Sequence, residues 1–328
     1  MASIYSQADR QRISKRIITL LRNGDSLEEA CKYINISPST IYSWVSRKMP
    51  EGLEIDIARK EIRSSISVYS EAVLLLSDLH IGRSTSSFND KIYIKRLEYL
   101  FSKIKDILLK YHNIKTLHIF DMGDNIHGEK VGYQGQFNDY QFGVPEQIAI
   151  ATDTHRNLIT KFLEIFDDII YSDTPGNHGK LDKLNSEGAN WDLIRVNYLE
   201  KEFNNNRVLF NRPKNINFTV YNIVEVGKYR FLITHGDSIR SFGGFPYSAI
   251  IKKMLFWRSF ENFDGMCLGH FHSANKLDVN GIPILMNSTL VSDDNYATRL
   301  GYKSLPSQTF FIMSPMNIID GYYEIRLT

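Results

Sequence analysis

Five short polar motifs in this chain each follow an apolar run, and that repeated placement constrains the fold more than any other feature. Glu71–Leu76 precedes Asp78-Leu79-His80, and Thr116–Phe120 precedes Gly123-Asp124. Ile169–Asp173 precedes Gly176-Asn177-His178, and Tyr229–Ile233 leads into Thr234-His235-Gly236. Gly265–Leu268 precedes Gly269-His270-Phe271-His272. Short apolar runs of this kind suit strands buried on both faces. Successive motifs stand 35 to 58 residues apart, which leaves room for helices or hairpins between strands. Helical spacing over about Asn89–Tyr111 and Pro145–Phe166 supplies two of them. The pattern predicts an α/β fold with functional groups gathered at the carboxyl ends of its strands.

The motif residues are metal-ligand types. Asp78 and His80 are two apart, as are His270 and His272, so in extended backbone each pair points one way. The Asp124 carboxylate has two oxygens and can bridge two ions, and Asn177 offers a neutral carbonyl oxygen. His178 can hold a proton near neutral pH. Gly82 and Gly123 permit turns. His118 lies inside a strand and reads as a packed histidine, whereas His112 and His155 read as surface residues. Lys180 could contact a phosphate, although a solvated loop lysine is the plainer reading. Tyr133, Phe137, Tyr140 and Phe142 could stack on bases, although such residues more often pack a loop; Gly243–Tyr247 is a turn bordering the cleft.

Charge separates the N-terminal fifty residues from the rest. They hold eight Lys or Arg against four acids, while the whole chain carries only +2. Apolar positions Ile13, Ile17, Leu20 and Leu21 define a first helix, broken by Asn23-Gly24-Asp25. Ser26 and Glu29 form a capping box for a second helix through Ile34. After the tight turn Asn35-Ile36, Ser37 caps a third helix with Pro38 at its first position. We read residues 1–49 as a small three-helix DNA-binding domain, 50–70 as a linker and 71–328 as the catalytic domain. No apolar run reaches the length of a membrane span, and the start of the chain lacks an apolar signal core. Cys31 and Cys267 sit in different candidate domains and lack metal spacing, which argues against a disulfide framework. The expected compartment is the cytoplasm, that of the host if the gene is carried by a phage.

The stretch Ile36–Trp44 resembles the recognition helix of a homeodomain-like helix-turn-helix. That resemblance implies that Ser39, Thr40, Tyr42 and Ser43 face the groove and that Arg47 and Lys48 reach phosphates. The five motifs in order resemble the calcineurin-like metallophosphoesterase superfamily. This implies a four-layer αββα sandwich, with Phe218–Tyr221 and Thr309–Met313 fitting a second sheet. It also implies two divalent metal ions, Mn²⁺ first, with Fe, Zn or Mg as other choices. Asp78, His80 and His272 would hold one ion, Asn177, His235 and His270 the other, and Asp124 would bridge. A bridging hydroxide would then attack a phosphodiester.

The neighbours of the ligands narrow the class. No Asp-Arg-Gly element follows Asp124, which disfavours phosphoprotein phosphatases. His127, three residues after Asp124, resembles the histidine linked to nuclease function in SbcCD-type DNA nucleases, so His127 and His178 are the catalytic candidates. Gly179 stands where those nucleases usually carry Asp. The fused head resembles that of calcineurin-like proteins encoded by phages and mobile elements. The expected activity is a DNA nuclease, endo- or exonuclease, with DNA as partner. The alternatives are a small-substrate phosphodiesterase or phosphatase with a regulatory or dimerising head, and a DNA-binding module with a decayed site. A homodimer is compatible with the chain, and an SbcC-like ATPase partner is not implied by the 56 residues after His272.

Overall fold

A computed structural model of the chain describes residues 9, 12–13, 16–17, 20, 27–37, 40–41, 70–111, 114–129, 140–182, 186–203, 207–213, 220–240, 246–292 and 305–327. The chain divides into two compact units, Met1–Tyr69 and Ser70–Thr328. In the first, helix α1 (Leu27–Tyr33) ends at Asn35, whose φ of 54° is left-handed. The Ile36 amide then donates to the Cys31 carbonyl at 3.0 Å, the bond that closes a helix past a left-handed residue. Ile17, Ala30, Cys31, Ile36 and Ile41 are buried in this unit.

The second unit is built on two sheets. The first contains β1 (Glu71–Leu76), β2 (Thr116–Asp121), β3 (Asp168–Asp173), β4 (Val208–Asn211), β10 (Ser307–Met313) and β11 (Gly321–Arg326). Their order is β11-β10-β1-β2-β3-β4, with β1 to β4 parallel and the other two antiparallel. Thr309–Met313 thus lies in the first sheet, paired with β1, which corrects its reading as part of the second. The second contains β5 (Tyr221–Val226), β6 (Tyr229–Thr234), β7 (Gly265–Leu268), β8 (Asn275–Val279) and β9 (Ile282–Met286), in the order β5-β6-β7-β9-β8. The β8–β9 hairpin turns on Asn280-Gly281, both with positive φ, the geometry that matches strand twist in a two-residue turn.

Alternation along the strands makes the layers. Ala72, Leu74, Leu76, Leu117, Ile119 and Ile169 pack with helices α2 (Asp90–Leu108), α3 (Val144–Phe162) and α4 (Trp191–Glu202). The opposite side chains, Val73, Leu75, Phe120 and Met122, meet Val224, Phe231, Ile233, Cys267 and Leu285 of the second sheet. The outer face of that sheet, Leu232, Met266, Leu268, Ile284 and Met286, packs on Ile250, Met254 and Trp257 of α5 (Tyr247–Arg258). The architecture is therefore a four-layer αββα sandwich of the α/β class. Strands buried on both faces explain why the runs read as continuous apolar stretches rather than alternating ones.

The helices follow local rules. Along α2, Tyr93, Leu97, Leu100, Ile104 and Ile107 form one buried stripe, and the Asn89 side chain accepts from the Lys91 and Ile92 amides at 3.1 and 3.2 Å. On α3, Pro145 sits in the first turn and His155 is buried, which corrects its reading as a surface residue. Its position on the stripe with Ala151, Leu158 and Ile159 decides this, and its Nδ1–H donates to the Ala151 carbonyl at 2.9 Å. Among the described residues, no helix is long and apolar enough to cross a membrane.

Candidate metal centre

Strand register sets the motifs side by side. Leu76, Asp121 and Asp173 are register partners across β1, β2 and β3, and Thr234 pairs with Leu268 across β6 and β7. The loops beyond these ends stay paired. The Asp78 amide donates to Gly123 O and the His80 amide to Asp124 O, both at 3.0 Å, and the Gly269 amide to His235 O at 3.0 Å. Gly123 and Gly176 allow the second and third motifs to touch. A Cβ on Gly123 would stand 2.2 Å from the Gly176 nitrogen, and one on Gly176 would stand 2.1 Å from Asp124 Oδ1.

The motif backbone is not extended, which corrects the two-apart argument. Asp78, His80, Asp124, His270 and His272 have φ between 46° and 70°, the left-handed region. They are five of the seven non-glycine residues with positive φ among those described. L-residues with side chains of this size enter that region at a cost of about 1 kcal/mol or more each, and such strain concentrates at functional sites. Pairing of the loops and the contacts of the side chains hold them there.

All seven predicted ligands are brought together. Asp78, His80 and His272 form one cluster and Asp124, His235 and His270 another, each with ligand atoms within 4.8 Å of one another. His272 Nε2 lies 3.1 Å from His80 Nε2 and 3.2 Å from Asp78 Oδ1. His235 Nε2 lies 3.0 Å from Asn177 Oδ1, 3.1 Å from Asp124 Oδ2 and 3.3 Å from His270 Nδ1. The clusters adjoin, because the His270 amide donates to the Asp78 carboxylate at 3.0 Å.

The donor set fits a hard or borderline divalent cation. His235 Nδ1–H donates to the Met122 carbonyl at 2.8 Å, so neutral His235 turns the Nε2 lone pair toward two oxygens and a further imidazole. Electron-rich atoms converge there, and a positive charge is what the geometry lacks. The titration of His235 points the same way. Burial pushes it down, but the Asp124 carboxylate outweighs that and raises it well above the ordinary imidazole value. Asp124 is itself held low: burial opposes ionisation, and the charges of His235 and His178 overcome it. Burial lowers His80 well below the ordinary value and His270 to about 4, which leaves both neutral and able to ligate.

His178 and His127 stand beside the first cluster. The His178 amide donates to Asp124 Oδ1 at 2.7 Å, and its Nδ1–H donates to the His127 carbonyl at 2.8 Å. Its Nε2 faces Asp124 Oδ2 at 3.9 Å. His127 is buried with both ring nitrogens unpartnered, and burial takes its pKa down to about 2. The ligand atoms of His80, His127 and His178 also lie within 4.8 Å of one another.

A buried polar floor supports these loops, and nothing in motif spacing pointed to it. Asp192, at the start of α4, accepts from the amides of Asp124, Gly176 and Asn125 at 3.0, 3.1 and 3.2 Å. Asn190 caps that helix and its Nδ2 donates to Gly176 O at 2.6 Å. Beneath, Asp121 accepts from Asn125 Nδ2 and the Tyr171 hydroxyl at 2.8 and 2.7 Å and is ion-paired with the buried Arg195. The helix-start pattern Asn190-Trp191-Asp192 was the one local clue. Asn190 also explains Gly179: a Cβ there would meet Asn190 Oδ1 at 2.2 Å, so an acid has no room.

The remaining candidates divide. Thr40 is half-buried in helical backbone, whereas Ser39, Tyr42, Ser43, Arg47 and Lys48 lie outside the described residues. So do Tyr133, Phe137, His112, Phe218, Thr219 and Gly243–Phe245. Tyr140 is exposed and Phe142 half-buried. Lys180 is ion-paired with Glu187, and His118 Nε2 is hydrogen-bonded to the Glu71 carboxylate.

No curated protein matches the chain. Residues 6–54 match the family model of a homeodomain-like domain. Among solved structures, an archaeal phosphodiesterase is 13% identical, with 78% of this chain and 99% of that chain covered at a TM-score of 0.40. Vacuolar protein sorting 29 from Cryptosporidium parvum is 13% identical, with 79% and 99% covered at 0.38. A predicted phosphoesterase from Streptococcus pneumoniae TIGR4 is 9% identical, with 78% and 98% covered at 0.33.

Proposed function

We propose that the chain is a metal-dependent phosphodiesterase and that its substrate is DNA. The observation that carries this reading is the convergence of five strand-end motifs into two adjoining Asp/His clusters. Asp78, His80 and His272 would hold one divalent ion, Asn177, His235 and His270 a second, and Asp124 would lie between them. Ions bound there supply Lewis-acid polarisation of a phosphate and an activated water at neutral pH. Oxygen and imidazole donors without a thiolate suit Mn²⁺, Fe or Zn over a softer ion, and Mn²⁺ is the ion we choose for the tests.

The chain's own groups supply the rest. His235 is locked by Met122 O into the tautomer that presents Nε2. His178, tethered through Nδ1, keeps Nε2 free toward the cluster, and we assign that atom to proton movement at the departing oxygen. The fused head favours DNA: it matches a homeodomain-like domain and its sequence is basic. Replacing both Arg47 and Lys48 with Ala should weaken DNA binding and lower its salt dependence by about two phosphate contacts.

The test is a panel of plasmid, linear duplex, single strand, RNA and a cyclic nucleotide, with the full chain and Mn²⁺. Cleavage of DNA that vanishes in folded His235→Ala protein supports the reading. Turnover of the cyclic nucleotide alone would sink it in favour of a small-substrate phosphodiesterase.

A further inference from the structure

Arg83 is buried, at 3% exposure, directly beyond the Asp78–His80 motif. Its amide donates to the His80 carbonyl at 3.0 Å, and its backbone bridges to Tyr140. Its Nε has no hydrogen-bond partner, and no carboxylate pairs with it among the described residues. Arginine is seldom buried without a counter-charge, because the desolvated cation is then uncompensated. The buried Arg195 shows the usual arrangement, with Asp121 against its guanidinium.

What lies around Arg83 identifies the missing partner. The segment that carries it lies against the His127 loop: Ile81 bridges to Ile126, and the His127 amide donates to the Ile81 carbonyl at 2.9 Å. His127 is also buried and unpartnered at both nitrogens. Asp124, three residues before His127, is already engaged by His178 and His235. An oxyanion would satisfy the arginine and can accept from His127 as well.

We propose that Arg83, with His127 beside it, seats the non-bridging oxygens of the substrate phosphate next to the metal clusters. A planar guanidinium fork matches two phosphate oxygens in a way that a lysine cannot. This assignment rests on the phosphodiesterase reading and names the residue that takes the phosphate.

The test compares wild-type, Arg83→Gln and Arg83→Lys proteins as full chains loaded with Mn²⁺. Calorimetry measures the affinity for inorganic phosphate, and a thermal melt is run on each protein. Arg83→Gln should bind phosphate at least about tenfold more weakly, and Arg83→Lys should fall between it and the wild type. The melting temperature of Arg83→Gln should hold or rise, because an uncompensated buried charge is removed. Unchanged phosphate affinity in Arg83→Gln overturns the proposal. So does a fall of several degrees in its melting temperature, which would make Arg83 a structural residue. Turnover of bis(4-nitrophenyl) phosphate by the wild type judges the parent reading separately. Turnover with Arg83-independent phosphate binding removes the Arg83 assignment alone. Arg83-dependent phosphate binding with no turnover of any diester removes the enzyme reading and keeps the anion seat.

Discussion

The two sheets hold their shares of the centre differently. On the first, Asp124 and Asn177 stand in loops tied down by Asp192 and Asn190, over the buried Asp121–Arg195–Tyr171 group. On the second, the contacts of His235, His270 and His272 run to main chain and to the other ligand side chains. His235 donates to Met122 O, the His270 amide donates to Asp78, and the His272 carbonyl accepts from Ser288 Oγ at 3.0 Å. One half is braced by buried charge, and the other leans on the first. Damage to the floor should therefore spread over the whole centre, whereas loss of a second-sheet histidine should stay local.

The sharpest way to break that comparison is Arg195→Met. It leaves the buried Asp121 carboxylate without its cation, and breaking such a pair costs about 3–5 kcal/mol. Urea unfolding should show the loss, and Mn²⁺ affinity should fall with it. Wild-type affinity in this variant would mean that the floor does not position the centre. His235→Ala should instead leave the unfolding midpoint close to wild type. Its diester turnover should drop by more than about 100-fold, beyond what loss of a supporting residue costs. A large stability loss there would erase the contrast.

A pH titration reaches the floor from its helix side. Burial first, and the Arg195 charge second, lower His155 from 6.5 to about 3, and the Asp121 charge opposes them. The unfolded chain takes up a proton near 6.5 that folded His155 accepts only near 3. Its contribution to stability is thus intact above 6.5 and is lost as pH falls toward 3, at up to about 1.4 kcal/mol per pH unit. His155→Leu should flatten that part of the stability profile, and an unchanged slope would exclude His155 as its source. The smallest effect compares two helix caps. Asn89→Ala and Asn190→Ala should each cost about 1 kcal/mol in unfolding experiments. Only Asn190→Ala should also weaken Mn²⁺ binding, by about tenfold, because Asn190 also holds Gly176 O. Equal metal affinity in the two variants would show that the cap serves its helix alone.

Much of this was legible in the residues. Strands β1, β2, β3, β6 and β7 stood out because burial on both faces makes each an uninterrupted apolar run with a polar motif at its end. Helices α2 and α3 stood out through the spacing of their buried stripes. Strand β4, with four residues and a half-buried face, gave no comparable pattern. His155 was misread because one histidine carries no periodicity of its own. Arg83, Asp121 and Asp192 were missed because their roles depend on neighbours brought by other loops: the Asp192 carboxylate meets amides 68 and 16 residues away.

The order of apolar runs and polar motifs, read by itself, determined the α/β class, the strand ends and the residue types that meet there. Those follow from burial and periodicity, which are local and additive along the chain. Tertiary structure alone decided the left-handed backbone of Asp78, His80, Asp124, His270 and His272, the room that excludes a side chain at Gly179, and the burial of Arg83 with its Nε unpartnered. Each of these depends on which atoms other segments bring within a few ångströms, and only packing of the two sheets sets that.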